Sequence, residues 1–268
     1  MKLYYAKGTC SFGPHIAMRE LGIDPELVPV NLMEKKLSDG SDFKGHNPKG
    51  YVPYIETDDG TKLVIDPFFM DNPSFDGSVY DIEADYILIT HGHHDHVADL
   101  LGLAERTGAT CIATYEIASF LEGKGLNASP QHIGGGVHYP FGYVKLTPAL
   151  HGGMVNLPGA EAFSTLPAGL LINFTTGERL YHAGDTGLIT DMQLLKDKVD
   201  VAILPIGDRF TMGPDDAVTA VDFIGPKVVI PCHYDTWPPI EQDASAFAAM
   251  VGDRAHVEIM VPGDSYDL

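Results

Sequence analysis

The densest cluster of chemistry-bearing side chains in this chain of 268 residues is the run His91-Gly92-His93-His94-Asp95-His96. The apolar segment at 86–90 reads as a strand running straight into it, and a helix is expected from about 97 to 105. The six motif residues then fall on the loop between, where catalytic groups commonly sit. A spacing of one residue lets His91 and His93 face one point. Asp95 and His96, at the helix start, can face a neighbouring point, and two adjacent metal ions fit that geometry. Three further candidates stand where predicted strands give out: His151 after 144–150, Asp185 after a strand ending near Tyr181, and His233 after 228–232. Five imidazoles and two carboxylates form a borderline ligand set that suits zinc and is tolerable for manganese or iron.

Other residues invite a role and are read more plainly. His94 fills the variable place of the motif and His182 precedes Asp185 by three positions; a supporting or surface role is the commoner one for each. Arg209, Tyr234 and Trp237 lie close in sequence to the presumed pocket and could orient a substrate, with packing or surface roles as the default. Cys232 reads as a core thiol at the end of a buried strand. His15, His46, His132, His138 and His256 lack ligand spacing.

The elements that must position these groups follow from pattern. Residues 2–5 and 27–32 read as strands flanking an amphipathic helix at 13–21 that stops at Gly22, a βαβ opening. Strands at 51–56 and 61–68 surround the turn Asp58-Asp59-Gly60, a hairpin signal. From there short apolar strands alternate with helices, and tight turns such as Thr175-Thr176-Gly177 add antiparallel sheet to parallel units. The expected fold is α/β, two sheets packed face to face with helices outside.

Hydrophobic residues make up 44% of the chain, enough to bury a full core in one large domain with or without a small lobe. Residues 1–8 lack the apolar core of a signal peptide, and no stretch approaches the run of about 20 apolar residues that spans a bilayer. Cys10, Cys111 and Cys232 are few, odd in number and widely spaced, so no disulfide framework is expected and a reducing, cytoplasmic location is. A formal net charge of -20 repels phosphate backbones and anionic lipid surfaces. A small-molecule substrate is therefore expected, rather than nucleic acid or a membrane, and oligomerisation is left open.

With these residues in view, the stretch 63–268 resembles the metallo-β-lactamase superfamily, and within it a family of metal-dependent hydrolases that is itself similar to ascorbate-phosphate lactonases. Besides 91–96, the resemblance rests on Ile65-Asp66-Pro67-Phe68, Thr147-Pro148-Ala149-Leu150-His151, His182-Ala183-Gly184-Asp185-Thr186-Gly187, Leu204-Pro205-Ile206-Gly207, Phe210-Thr211-Met212-Gly213-Pro214 and Pro231-Cys232-His233-Tyr234. It implies a four-layer αββα sandwich and two divalent metal ions. His91, His93 and His151 would hold one ion, Asp95, His96 and His233 the other, and Asp185 would bridge them, with Asp95 and Asp185 as the catalytic carboxylates. Asp66 would be a supporting carboxylate. Two cations sharing a water lower its pKa towards about 7, and the resulting hydroxide would attack an ester, lactone, thioester or phosphoester.

Residues 1–62 resemble something else, the thioredoxin-like N-terminal domain of bacterial glutathione S-transferases, in Met1-Lys2-Leu3-Tyr4-Tyr5, Cys10-Ser11, Pro14-His15-Ile16-Ala17, Asn47-Pro48-Lys49-Gly50 and Val52-Pro53. That resemblance implies Cys10 or Ser11 facing a glutathione sulfur and Val52 and Pro53 forming a cis peptide against the tripeptide. The chain departs from the transferase pattern by turning into Val64-Ile65-Asp66-Pro67-Phe68 where an acidic residue, a serine and a third helix would follow. The helical second domain is missing too. Two domains, 1–62 and 63–268, are thus expected, joined as a fusion near 61–63, with the hairpin completing the hydrolase sheet. The alternatives to a hydrolase are a metal-binding scaffold without turnover and a glutathione-binding or transferase-like protein.

Overall fold

The computed structural model describes residues 2–5, 26–31, 36–37, 54–57, 60–75, 77–160, 163–261 and 264–266. The chain forms two compact units, Met1–Val52 with Pro262–Leu268, and Pro53–Val261. In the first, β1 (Lys2–Tyr5) pairs in parallel with β2 (Glu26–Asn31), and β2 pairs antiparallel with β3 (Lys36–Leu37). The helix expected at 13–21 lies outside the described residues.

The second unit holds two sheets. One has the order β4 (Tyr54–Glu56), β5 (Lys62–Ile65), β6 (Tyr86–Leu88), β7 (Thr110–Thr114), β8 (Ala128–Gln131). Its first pair is antiparallel, closed by a turn in which Gly60 takes φ 82°, and the other pairs are parallel. The expected hairpin is therefore the edge of this sheet. The other sheet runs β9 (Gly136–Tyr139), β10 (Gly142–Pro148), β11 (Ala168–Phe174), β12 (Arg179–His182), β13 (Val201–Pro205), β14 (Val228–Cys232), β15 (His256–Val257). It is antiparallel up to β12 and parallel beyond.

Parallel neighbours need crossovers, and helices supply most of them. They are α1 (His94–Val97), α2 (Leu100–Thr107) and α3 (Tyr115–Gly123) on the first sheet, and α4 (Pro214–Ile224) and α5 (Ala244–Val251) on the second. Strand alternation divides the core into layers. Val64, Ile87, Cys111 and Ala113 face α2 and α3, while Leu171, Tyr181, Ala202, Leu204 and Val229 share a core with α4 and α5. The opposite faces, Leu63, Ile65, Leu88 and Ile112 against Val144, Leu146, Leu170, Ile172 and Leu180, are as fully buried, and among the described residues they lie outside the two helix-packed clusters. Each sheet is their cover. Tyr86 bridges the two, its ring 4.8 Å from that of Phe141. Full burial of each large aliphatic side chain contributes roughly 1.5–3 kcal/mol.

The helix expected from residue 97 is interrupted and starts earlier. Asp99 N–H turns to the Pro67 carbonyl (3.1 Å) and its carboxylate accepts from the Phe69 and Met70 N–H groups (2.6 and 3.1 Å). This tertiary tie separates α1 from α2 and fastens the 66–70 loop to the motif. His94, Asp95 and His96 accordingly lie on one helical turn, not on a loop, with His93 as its N-cap.

Candidate metal centre

Each candidate ligand sits just beyond the C-terminal end of a strand: 91–96 after β6, His151 after β10, Asp185 after β12 and His233 after β14. Pairing within the second sheet sets the ends of β10, β12 and β14 on one side, and 91–96, from the first sheet, meets them there. Gly92 makes the tight motif loop possible, because a Cβ there would stand 2.7 Å from Val155 Cγ2 and 2.8 Å from its Cα.

Three ring nitrogens converge on one side, His91 Nε2 and His151 Nε2 lying 3.0 and 3.1 Å from His93 Nδ1. Two ligands of one tetrahedral zinc, each at about 2.05 Å, stand roughly 3.3 Å apart, so the spacing is that of a cation site. On the other side His233 Nε2 and His96 Nε2 lie 3.4 and 3.5 Å from Asp95 Oδ2. Asp185 Oδ2 stands between the two groups, 3.1 Å from His233 Nε2, 3.5 Å from His96 Nε2, 3.5 Å from His151 Nε2 and 3.9 Å from His91 Nε2. His96 Nε2 and His233 Nε2 are buried without a hydrogen-bond partner. Orphaned buried nitrogens aimed at shared carboxylates are what a cation would satisfy, so the residues fit the implied pair of metal ions.

A buried network behind the ligands sets their tautomers. Asp66 accepts from Thr90 N–H (2.8 Å) and from Thr90 O–H (2.6 Å), and His96 Nδ1 lies 2.9 Å from the same carboxylate. Since the Thr90 hydroxyl donates to Asp66, it accepts from His91 Nδ1–H at 3.0 Å. Both rings thereby offer Nε2 to the centre. Asp66 and His233 adopt φ 49° and 53°, a sparsely populated region that this packing enforces.

The electrostatics divide the imidazoles. Burial pushes His91 down to about 3 and lowers His93 and His151. Burial also works against His233, yet the neighbouring carboxylates of Asp185 and Asp95 raise it to about 9; His96 is raised by Asp185 and Asp66 despite its burial. Burial would raise Asp185, but His96 and His233 hold it well below the carboxylate range, and against its own burial Asp66 is lowered by His96. His96 and His233 thus hold protons that a cation bound there would displace.

His94 points away, its Nε2 3.0 Å from the exposed Asp71 carboxylate, and His182 is buried with Nδ1 accepting from Gly184 N–H (3.0 Å). Arg209 is exposed, and Tyr234 is half-buried against the α4–α5 core. The half-buried Trp237 ring is 6.4 Å from that of His233 and 6.3 Å from that of Phe68. Burial pushes up the Cys232 thiol, although the residue as a whole is half-buried and lies outside both core clusters. Sequence reasoning missed Thr90 and Phe68; a hydroxyl directly before the first motif histidine was the available signal for Thr90. Cys10, Ser11, Val52 and Pro53 lie outside the described residues.

Comparison with known proteins agrees with this geometry. Residues 61–234 match the beta-lactamase superfamily domain, and residues 9–66 match the glutathione S-transferase N-terminal domain. A UPF0173 metal-dependent hydrolase of Geobacillus sp. is 44% identical over 229 residues, covering 84% of this chain and 98% of that protein. One from Heliobacterium modesticaldum is 42% identical, covering 82% and 95%. The structure of Igni18, a metallo hydrolase of Ignicoccus hospitalis, superposes with a TM-score of 0.71 at 35% identity, covering 79% of this chain and 91% of that one. The chain, with its convergent histidines and aspartates at the strand ends, belongs to the UPF0173 family of metal-dependent hydrolases within the metallo-β-lactamase superfamily.

Proposed function

We propose that this hydrolase cleaves an ester, lactone, thioester or phosphoester with a pair of divalent ions, zinc in first place and manganese or iron as alternatives. His91, His93 and His151 would hold one ion, Asp95, His96 and His233 the other. The observation that carries the reading is the position of Asp185 Oδ2, within 3.1–3.9 Å of two imidazole nitrogens from each group. Bound there, such ions supply a nucleophile by lowering the pKa of water to about 7 and stabilise negative charge on the substrate oxygen. Asp66 and Thr90 would hold the Nδ1 protons of His96 and His91 and so leave Nε2 of each ring turned to the metal, and Asp95 and Asp185 would offset the cationic charge. Cys232, its thiol far from ionising, is no competing nucleophile. Asp185→Asn should abolish turnover and remove at least one metal per chain; full activity in that variant would sink the reading.

A second reading concerns the first 62 residues, and the glutathione S-transferase match at 9–66 supports it. There Cys10, Ser11, Val52 and Pro53 would bind glutathione, and the substrate hydrolysed would be its thioester. Faster turnover of an S-acyl-glutathione than of a matched oxygen ester is expected, and equal rates would remove the motive for it.

A further inference from the structure

The loops that carry or adjoin the candidate ligands are acidic and poor in basic residues. Segments 66–78, 90–99, 149–167, 183–189, 206–213 and 233–243 contain eleven acidic residues, no lysine and one arginine, Arg209. The Arg209 guanidinium lies over the Phe210 ring at 5.6 Å. Among these loops a substrate bearing a phosphate or carboxylate tail is therefore offered a single protein cation, Arg209, whereas anion recognition ordinarily uses several.

The same loops hold exposed apolar side chains. Leu150, directly before His151, is 67% exposed, Met154 59% and Phe210 49%. Leu150 and Phe210 belong to one rim, since Leu150 N–H donates to Thr186 Oγ1 and the Phe210 loop returns through Met212 N–H to the Thr186 carbonyl. On the Asp95 side an aromatic series leads from the surface to the ligands: His94 edge-on to Phe68 at 6.1 Å, Phe68 to Trp237, Trp237 to His233. Exposed apolar surface concentrated at a reaction centre marks a binding site.

We propose that the metal centre takes substrates whose acyl part is apolar and uncharged, lying against Phe68 and Trp237 and the rim of Leu150 and Phe210. The identity of the reaction rests on the hydrolase reading above; the recognition stands on the loops. Each methylene fully withdrawn from water is worth roughly a fourfold preference, and a half-exposed wall keeps part of that.

The test uses the full zinc-loaded chain and a p-nitrophenyl ester series. The kcat/KM should rise roughly tenfold or more from acetate to hexanoate. The adipate half-ester, of equal length but ending in a carboxylate, should fall roughly tenfold below hexanoate. Trp237 is the only tryptophan of the chain, so its fluorescence reports binding directly. Hexanoate should perturb it at concentrations where adipate does not. Phe68→Ala should flatten the chain-length slope by about threefold or more with metal content retained, and Phe210→Ala serves the same purpose if that variant does not fold. A flat series, or adipate preferred over hexanoate in either readout, overturns the proposal. No cleavage of any ester, with hexanoate still favoured in fluorescence, would instead count against the hydrolysis of esters and leave the apolar site standing.

Discussion

Asp66 touches no proposed substrate, yet it governs two ligands on opposite sides of the centre. It accepts directly from His96 Nδ1–H and, through Thr90, fixes the His91 ring. Asp66→Asn should therefore weaken metal binding by roughly 10–100-fold, measured by chelator competition, with Thr90→Val smaller and Thr90→Ser near wild type. Equal affinity in all three would exclude the relay. His233 gives a pH dependence of its own. Its folded pKa, raised to about 9, means that its contribution to the metal-free fold is complete below about 6.5 and is lost as pH rises through about 9. Metal uptake needs the neutral ring and strengthens over the same window. Zinc titration calorimetry at pH 7, in buffers of differing ionisation enthalpy, should count protons released on binding, and none released would contradict the assignment. Away from the centre, Asp200 binds Arg179 through both oxygens (2.8 and 3.1 Å) and Lys227 (2.9 Å), tying the starts of β12, β13 and β14. These partners lower its pKa, so the stability it adds is present above about pH 4 and fades as pH falls towards the depressed value. Asp200→Asn should cost about 1–2 kcal/mol in urea unfolding at pH 7 and less at pH 3.

At the scale of elements, the motif loop is held by a close approach that has no counterpart in local pattern. Gly92→Ala would drive a Cβ against Val155 backbone and side chain. Displacing His91 and His93 together, it should cost about 1–3 kcal/mol and most of the metal, read by thermal unfolding and elemental analysis. The strands at 86–90 and 228–232 were legible because buried parallel strands are short apolar runs bounded by turn residues. The helix over 94–97 was not, because Asp99 spends its N–H and carboxylate on Pro67, Phe69 and Met70, some 30 positions earlier. β7 and α3 also escaped: Thr110–Thr114 and Tyr115–Gly123 abut without a turn residue, so no punctuation separates strand from helix.

The whole molecule turns on where its two resemblances meet. The family matches overlap at 61–66, within a hairpin whose first strand, Tyr54–Glu56, pairs antiparallel with Lys62–Ile65. We expect the hydrolase unit to need that strand. A chain of residues 53–268 should keep its metal, whereas one of 63–268, stripped of β4, exposes a buried edge and should aggregate in light scattering. Equal behaviour of both truncations would put the functional boundary at 62. The ligand types, their order and their place at strand ends follow from sequence alone, because a metal-binding loop after a buried strand is local chemistry written in consecutive residues. Which ring nitrogen each histidine offers, the shared position of Asp185, the Thr90–Asp66 relay and the Phe68–Trp237 wall were decided only in three dimensions. Apart from contacts within the run 90–96 itself, they join residues from 24 to 169 positions apart, and hydrophobic periodicity carries no information at that range.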